Sequence, residues 1–380
     1  MAGQPIRAES AVDVAGIEAL GDRMAVISER RGPVIGLSLL VWLLAAGALA
    51  LATRARAAVR LLALSVVYLP LVLLLAAILE PSEGAEQALT MALAPLLGLL
   101  TLRALDGWRP LAAASGATVV AYALDVVAGS PFTSLSLLGP NPGLGVRFYG
   151  IGNELEALLA VLVVAGTGAA LTGFLPRVER RRAAVAFLAA GLLAAVVFAA
   201  GRFGADVGAA IVLPIGAAAA AAKVVATPRR HAATSIITAF VVVVGFIAVI
   251  DLITGANAHF TRSVLDAGGL GDLAEVAQRR LQLSAHSFAR PVLLAFMPVV
   301  LACAVLAAWK RGAIGSWLRE APALKAGLLG ALVATAVGTL ANDSGALVLE
   351  VGSAYLLVFT GFAWAERPGE AERSSTLRSS

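Results

Sequence analysis

The chain has 380 residues, of which 59% are hydrophobic and only 14% charged, with a net charge of +5. Soluble domains carry about 25% charged residues, so this composition excludes a soluble fold and, despite the positive balance, a soluble nucleic-acid binder. The single cysteine, Cys303, lies in an apolar run, so no intramolecular disulfide is available.

Residues 1–33 contain no apolar core and read as a polar extracytoplasmic tail without a cleavable leader. A bilayer-spanning helix needs about 20 mostly apolar residues. Runs of that kind fall near 34–53, 59–79, 87–105, 110–129, 154–175, 183–201, 206–226, 233–253, 291–309, 324–341 and 345–364. They predict an all-α polytopic bundle over residues 34–365, with about eleven spans. Continuous runs of this length exclude a barrel, whose strands alternate over about ten residues. Residues 366–380 read as a disordered cytoplasmic tail.

Cytoplasmic connections are enriched in Lys and Arg. Alternate connections, beginning with Arg54–Arg60, together with the C-terminal tail, hold 19 of the 29 basic residues and all three lysines. This predicts an outside N-terminus and an inside C-terminus. Arg30 and Arg31 oppose that assignment at the first span.

Taken in chain order, the first polar cluster is Gly139–Glu156, reading GPNPGLGVRFYGIGNELE between two apolar runs. Asn153 with Glu156 three places later has the spacing of a capping box, and Glu154 would favour the helix dipole. Capping leaves Arg147, Tyr149 and the glycines of Gly150-Ile151-Gly152 without a role. The second cluster is Gly201–Gly208, GRFGADVG. Arg202 and Asp206 are four apart and would pair if helical, while Gly204 and Gly208 have small-xxx-small spacing.

The longest outer connection, Thr254–Arg290, carries His259, Arg262, Arg279, Arg280, His286 and Arg290. Asp272 and Glu275 make a second capping-box pair, opening a short helix through Leu283. That helix lies at the lipid interface or forms a lid whose arginine forks grip a phosphate. The last cluster, Asn342-Asp343-Ser344-Gly345, has turn character, with Asp343 or Ser344 as a cap. Glu350 lies about two turns into the final span, where an uncompensated charge costs at least a few kcal/mol.

The acids Asp125, Glu154, Asp206, Asp251, Asp343 and Glu350 all fall in the outer half of this topology, which points to an outward-facing polar site. Carboxylates with Asn would suit Mg²⁺ or a similar hard cation rather than zinc. His259 and His286 are too far apart in sequence to define a metal pair.

The strings RFYGIGNE (Arg147–Glu154), GADVG (Gly204–Gly208) and NDSG (Asn342–Gly345) resemble a family of uncharacterised bacterial polytopic membrane proteins. Longer members carry an extracytoplasmic alkaline-phosphatase-like domain before the first span; with about 33 residues ahead of Val34, the chain is expected to lack that domain and its chemistry is not carried over. The resemblance implies a bacterial cytoplasmic-membrane location and brings no established activity.

Two functional classes follow. In the first, the chain handles a lipid-linked phosphate or glycan in cell-envelope biogenesis. Glu154, Asp206 and Asp343 are then the catalytic or metal-holding acids. Arg147, Tyr149, Asn153, Arg202, Arg279 and Arg280 bind phosphate, with Asn342, Glu350, His259 and His286 as further candidates. In the second, the chain is a cation-coupled transporter or lipid flippase working through Glu350 and Asp206. A noncatalytic scaffold is the remaining alternative.

Overall fold

The computed structural model describes residues 14–140, 148–228 and 270–367, with five isolated positions between 231 and 245. Regular structure among the described residues is helical. The helices are α1 (Val14–Arg31), α2 (Leu37–Leu49), α3 (Ala55–Leu79), α4 (Glu83–Ala104), α5 (Arg109–Val127), α6 (Asn153–Phe174) and α7 (Arg180–Ala199). They continue with α8 (Val207–Val224), α9 (Leu270–Ser287), α10 (Pro291–Trp309), α11 (Arg311–Trp317), α12 (Pro322–Ala341) and α13 (Gly345–Glu366).

Among the described residues, nine helices are long and apolar enough to cross a membrane. A tenth is reached if α10 and α11, bent by 71° at their junction, form one span. The remaining expected span, 233–253, lies outside the described residues apart from four isolated positions. The expected polar tail is helical from Val14 and runs into the first span, so that Glu18–Ala52 is one 35-residue helix. Pro33 removes a backbone donor there, and the ladder relaxes into a π-turn over Gly32–Gly36.

Helix α6 is the axis of the bundle and packs against α5, α7, α8, α12 and α13. Leu155, Leu158, Leu159, Val161, Leu162 and Val164 are buried on successive faces of it. Within lipid the hydrophobic effect does not favour helix pairing over lipid contact, so close van der Waals fit has to supply the difference. Gly168 and Gly327 provide it between α6 and α12: a Cβ on either would meet the facing backbone at 2.8 Å.

Two prolines inside spans are each repaired by an aromatic side chain. Pro70 has no N–H, so the Val66 carbonyl four residues earlier loses its helical donor. Tyr355 Oη of α13 donates to that carbonyl at 3.1 Å. Pro95 does the same to Met91, and Trp42 Nε1 of α2 donates to the Met91 carbonyl at 3.0 Å. An unsatisfied backbone group in lipid costs several kcal/mol, so both partners matter to the fold.

The α3–α4, α5–α6, α7–α8 and α12–α13 connections meet at one end of the bundle. At the other end Arg60 pairs with Glu366 at 2.7 Å, and Arg109 Nε donates to the Gly173 carbonyl at 3.0 Å. Helix α1 is fastened to the first end by three arginines. Arg23 pairs with Glu80 at 2.6 Å, Arg30 with Glu86 at 3.4 Å and Arg31 with Glu154 at 2.7 Å.

Candidate functional site

The α5–α6 connection is shaped by its own hydrogen bonds. Asp125, near the end of α5, accepts from Phe132 N at 3.2 Å and Thr133 N at 2.7 Å, which starts the short 3₁₀ turn Thr133–Leu135. Asp125 is thereby a structural cap. Ser130 Oγ accepts from Gly150 N at 2.9 Å, and Ser134 Oγ donates to the Phe148 carbonyl at 2.7 Å.

Gly150 adopts φ +81°, and a Cβ on it would stand 2.0 Å from the Gly204 carbonyl oxygen. Only glycine fits, in conformation and in space. The adjacent Ile151 N donates to that same Gly204 carbonyl at 3.1 Å. The first two polar clusters of the sequence are therefore joined backbone to backbone.

Helix α6 starts one residue earlier than a capping box requires. Gly152 is its N-cap, and Asn153 is already helical. The expected Asn153–Glu156 capping box is not formed, and both side chains are turned to other work. Asn153 Nδ2 donates to Asp343 Oδ1 at 3.2 Å. Glu156 is 2% exposed and points into the bundle.

Asn342 holds these groups together. Its amide nitrogen donates to Glu156 Oε2 and, at 3.1 Å, to Asn153 Oδ1, while its oxygen accepts from Ser344 N at 2.8 Å. Asp206 closes the cluster from α8. It is buried, its Oδ1 accepts from Ala209 N at 2.8 Å as the helix cap, and its carboxyl faces that of Glu156. The expected Arg202–Asp206 pair is absent because Asp206 turns inward and Arg202 outward. Gly204 lies in the connection rather than on a helix face, and Gly208 is where the Glu156 carboxyl rests: a Cβ there would meet Oε2 at 2.0 Å.

Glu154 lies at the edge of the cluster. Arg31 Nη1 donates to its Oε1 at 2.7 Å, and Arg31 Nη2 to the Gly139 carbonyl at 3.0 Å. Helix α9 lies across the α12–α13 turn: Ser284 Oγ donates to the Thr339 carbonyl at 2.6 Å, and Ser287 Oγ accepts from Ala346 N at 2.9 Å. Arg280 Nη1 reaches the Ala341 carbonyl at 3.4 Å, next to Asn342. The helix is already running at Leu270, so Asp272 is inside it rather than at its cap.

Of the residues singled out in the sequence, Asn153, Glu154, Asp206, Asn342 and Asp343 come together, with Arg280 at the margin. Tyr149, Arg202 and Arg279 are exposed around this end, and His286 is spent on the Gln282 carbonyl of its own helix at 2.7 Å. Glu350 stands apart, with Oε1 buried and without a hydrogen-bond partner. Arg147, Asp251 and His259 lie outside the described residues. Sequence reasoning gave no site role to Glu156, taken only as a cap, or to Arg31, weighed only for orientation.

Two cavities accompany the cluster. A cleft of about 290 Å³ lies under α1, lined by Arg23, Arg30, Glu80, Ser82 and Glu86 among others. A second, of about 340 Å³, is an apolar groove between α5 and α7 with α6 as its floor. It runs from Ala170 to Phe198, and the Gly201–Asp206 connection folds back so that Gly204 packs on the Phe198 backbone. Among the described residues, no three His, Cys, Asp or Glu side chains are grouped to hold a metal ion. No known protein family, curated protein or solved structure matches the chain.

Proposed function

We propose that this membrane protein binds a lipid-linked phosphate at the end of the bundle where Asn342, Asn153 and Glu156 meet. The observation that carries the reading is the apolar α5–α6–α7 groove terminating beneath the connection that presents Arg202. A hydrocarbon chain suits such a groove at bilayer depth, and an exposed guanidinium above it suits a phosphate. The occupant is thus one long-chain lipid phosphate, its tail in the groove and its head toward Arg202. Asp343, exposed and held by Asn153, is the carboxylate placed to act on or beside the head group.

The charge asymmetry of the connections supports placing this end on the outer face, and the motif resemblance favours a bacterial cytoplasmic membrane and a role in envelope biogenesis. Cation-coupled transport or flipping of a lipid is the second reading. It is favoured by Glu350, whose buried, unpartnered Oε1 lies within a span.

The test is photo-cross-linking in nanodiscs with a polyprenyl phosphate carrying a diazirine in its chain. Labelling is expected at Val120 and Leu193, with competition by unlabelled polyprenyl phosphate and not by the matching alcohol. Ala194→Phe, which fills the groove, and Arg202→Ala should each weaken labelling at least about tenfold, equivalent to about 1.4 kcal/mol. Equal competition by the alcohol would remove the phosphate from the reading.

A further inference from the structure

We infer that Ser284 and Ser287 of α9 are positioning residues for the head-group end of the site: they cap the α12–α13 turn from outside and so release Asn342 and Asp343 to face α6. What the site holds rests on the lipid-phosphate reading; the clamp itself does not.

The turn does not cap itself. Helix ends leave their first amides and last carbonyls without helical partners. Ser344 is the N-cap of α13, yet its side chain makes no cap bond. Ser287 takes that role from another helix: its Oγ accepts from Ala346 N, the second amide of α13, at 2.9 Å. On the α12 side, Ser284 Oγ donates to the Thr339 carbonyl at 2.6 Å and Arg280 Nη1 to the Ala341 carbonyl at 3.4 Å. Residues 280, 284 and 287 are spaced four and three apart, so all three bonds come from one stripe of α9.

The seat is closed and directional. Ser284 and Ser287 are 4% and 1% exposed. A Cβ on Gly345 would stand 2.1 Å from Ser284 Oγ, so only glycine lets α9 sit at this depth. The Ser287 hydroxyl spends its one proton on the Ser284 carbonyl at 2.6 Å, which leaves its lone pairs for Ala346 N.

With the backbone satisfied from α9, the side chains of the turn are available to the site. Asn342 gives its amide to Glu156, in the seam between α6, α8 and α12, and to Asn153 at 3.1 Å. Asp343 is held by Asn153 at 3.2 Å. Without the Ser287 hydroxyl, the Ala346 amide recruits Ser344 from the ordinary cap position, and that rearrangement draws Asp343 away from Asn153.

The experiment compares the full-length wild type, Ser287→Ala and Ser287→Thr in nanodiscs. Two polyprenyl phosphate photoprobes are used, one with its diazirine beside the phosphate and one with it in the chain. Hydrogen exchange of residues 344–348 is followed without either probe. In Ser287→Ala, head-probe labelling of residues 339–346 should fall about fivefold, the weight of one helix cap. Tail labelling at Val120 and Leu193 should be unchanged, and exchange at Ala346 should quicken by a similar factor. Ser287→Thr keeps the hydroxyl and should restore both. The inference is overturned if Ser287→Ala takes the head probe like the wild type, if head and tail labelling fall together, or if Thr is no better than Ala. If neither probe labels the wild type, the lipid reading fails and exchange alone decides the clamp. An Ala346 amide unprotected in the wild type, which needs no variant, or exchanging equally in Ser287→Ala, overturns it.

Discussion

Replacing Asn342 with Asp changes one side-chain group at the centre of the cluster and little of its shape. The side chain is 4% exposed, and the acceptor role toward Ser344 N survives. Both donor bonds are lost, to Glu156 Oε2 and to Asn153 Oδ1. A hydrogen bond contributes about 1 kcal/mol net, and stranding a buried partner adds up to about 1–3 kcal/mol, so Asn342→Asp should destabilise by about 2–4 kcal/mol.

The compensating change is Glu156→Gln, which puts the donor on the other side of the same contact. The double variant should recover the 156–342 bond but not the bond to Asn153, and so about half of the loss. Denaturant titration in mixed micelles measures all four corners of this cycle. Additive single effects, or an Asn342→Asp variant as stable as the wild type, would refute the hydrogen-bond geometry on which the site rests.

Gly150→Ala should abolish stable expression, because it meets a positive φ and a 2.0 Å approach to the Gly204 carbonyl together; size-exclusion yield reports this. Tyr355→Phe should cost about 1–3 kcal/mol by stranding the Val66 carbonyl. Most of that cost should vanish in a Pro70→Ala background, where residue 70 regains the missing N–H. Arg31→Lys should cost no more than about 1 kcal/mol in unfolding titrations, since the pair with Glu154 is part-exposed and one fork of the guanidinium is lost.

The spans were legible because a helix in lipid must be apolar along its whole length, and each described one appears where its apolar run lies. The three polar clusters were legible as one group because span parity brings their connections to the same end. The orientation of individual side chains was not legible. A helix turns about 100° per residue, so starting α6 at Asn153 instead of after it swings Glu156 from the cap into the seam. Arg31 was hidden for a related reason. Its sequence neighbours are polar, and only the continuation of the helix through Pro33 delivers it to Glu154.

The repair of the Val66 carbonyl also bears on how the chain is made. The donor, Tyr355, is 289 residues downstream of the group it satisfies. During synthesis α3 therefore enters the bilayer with an open backbone acceptor, and nearly the whole protein follows before that acceptor is filled. Until α13 arrives, α3 is the segment most disposed to borrow a donor from an insertion factor or a neighbouring helix. Arrival of the last helix closes it, so a chain truncated before Gly345 would retain an exposed defect near the middle of its second span. A membrane protease that samples such defects could thereby distinguish finished chains from broken ones without reading either terminus.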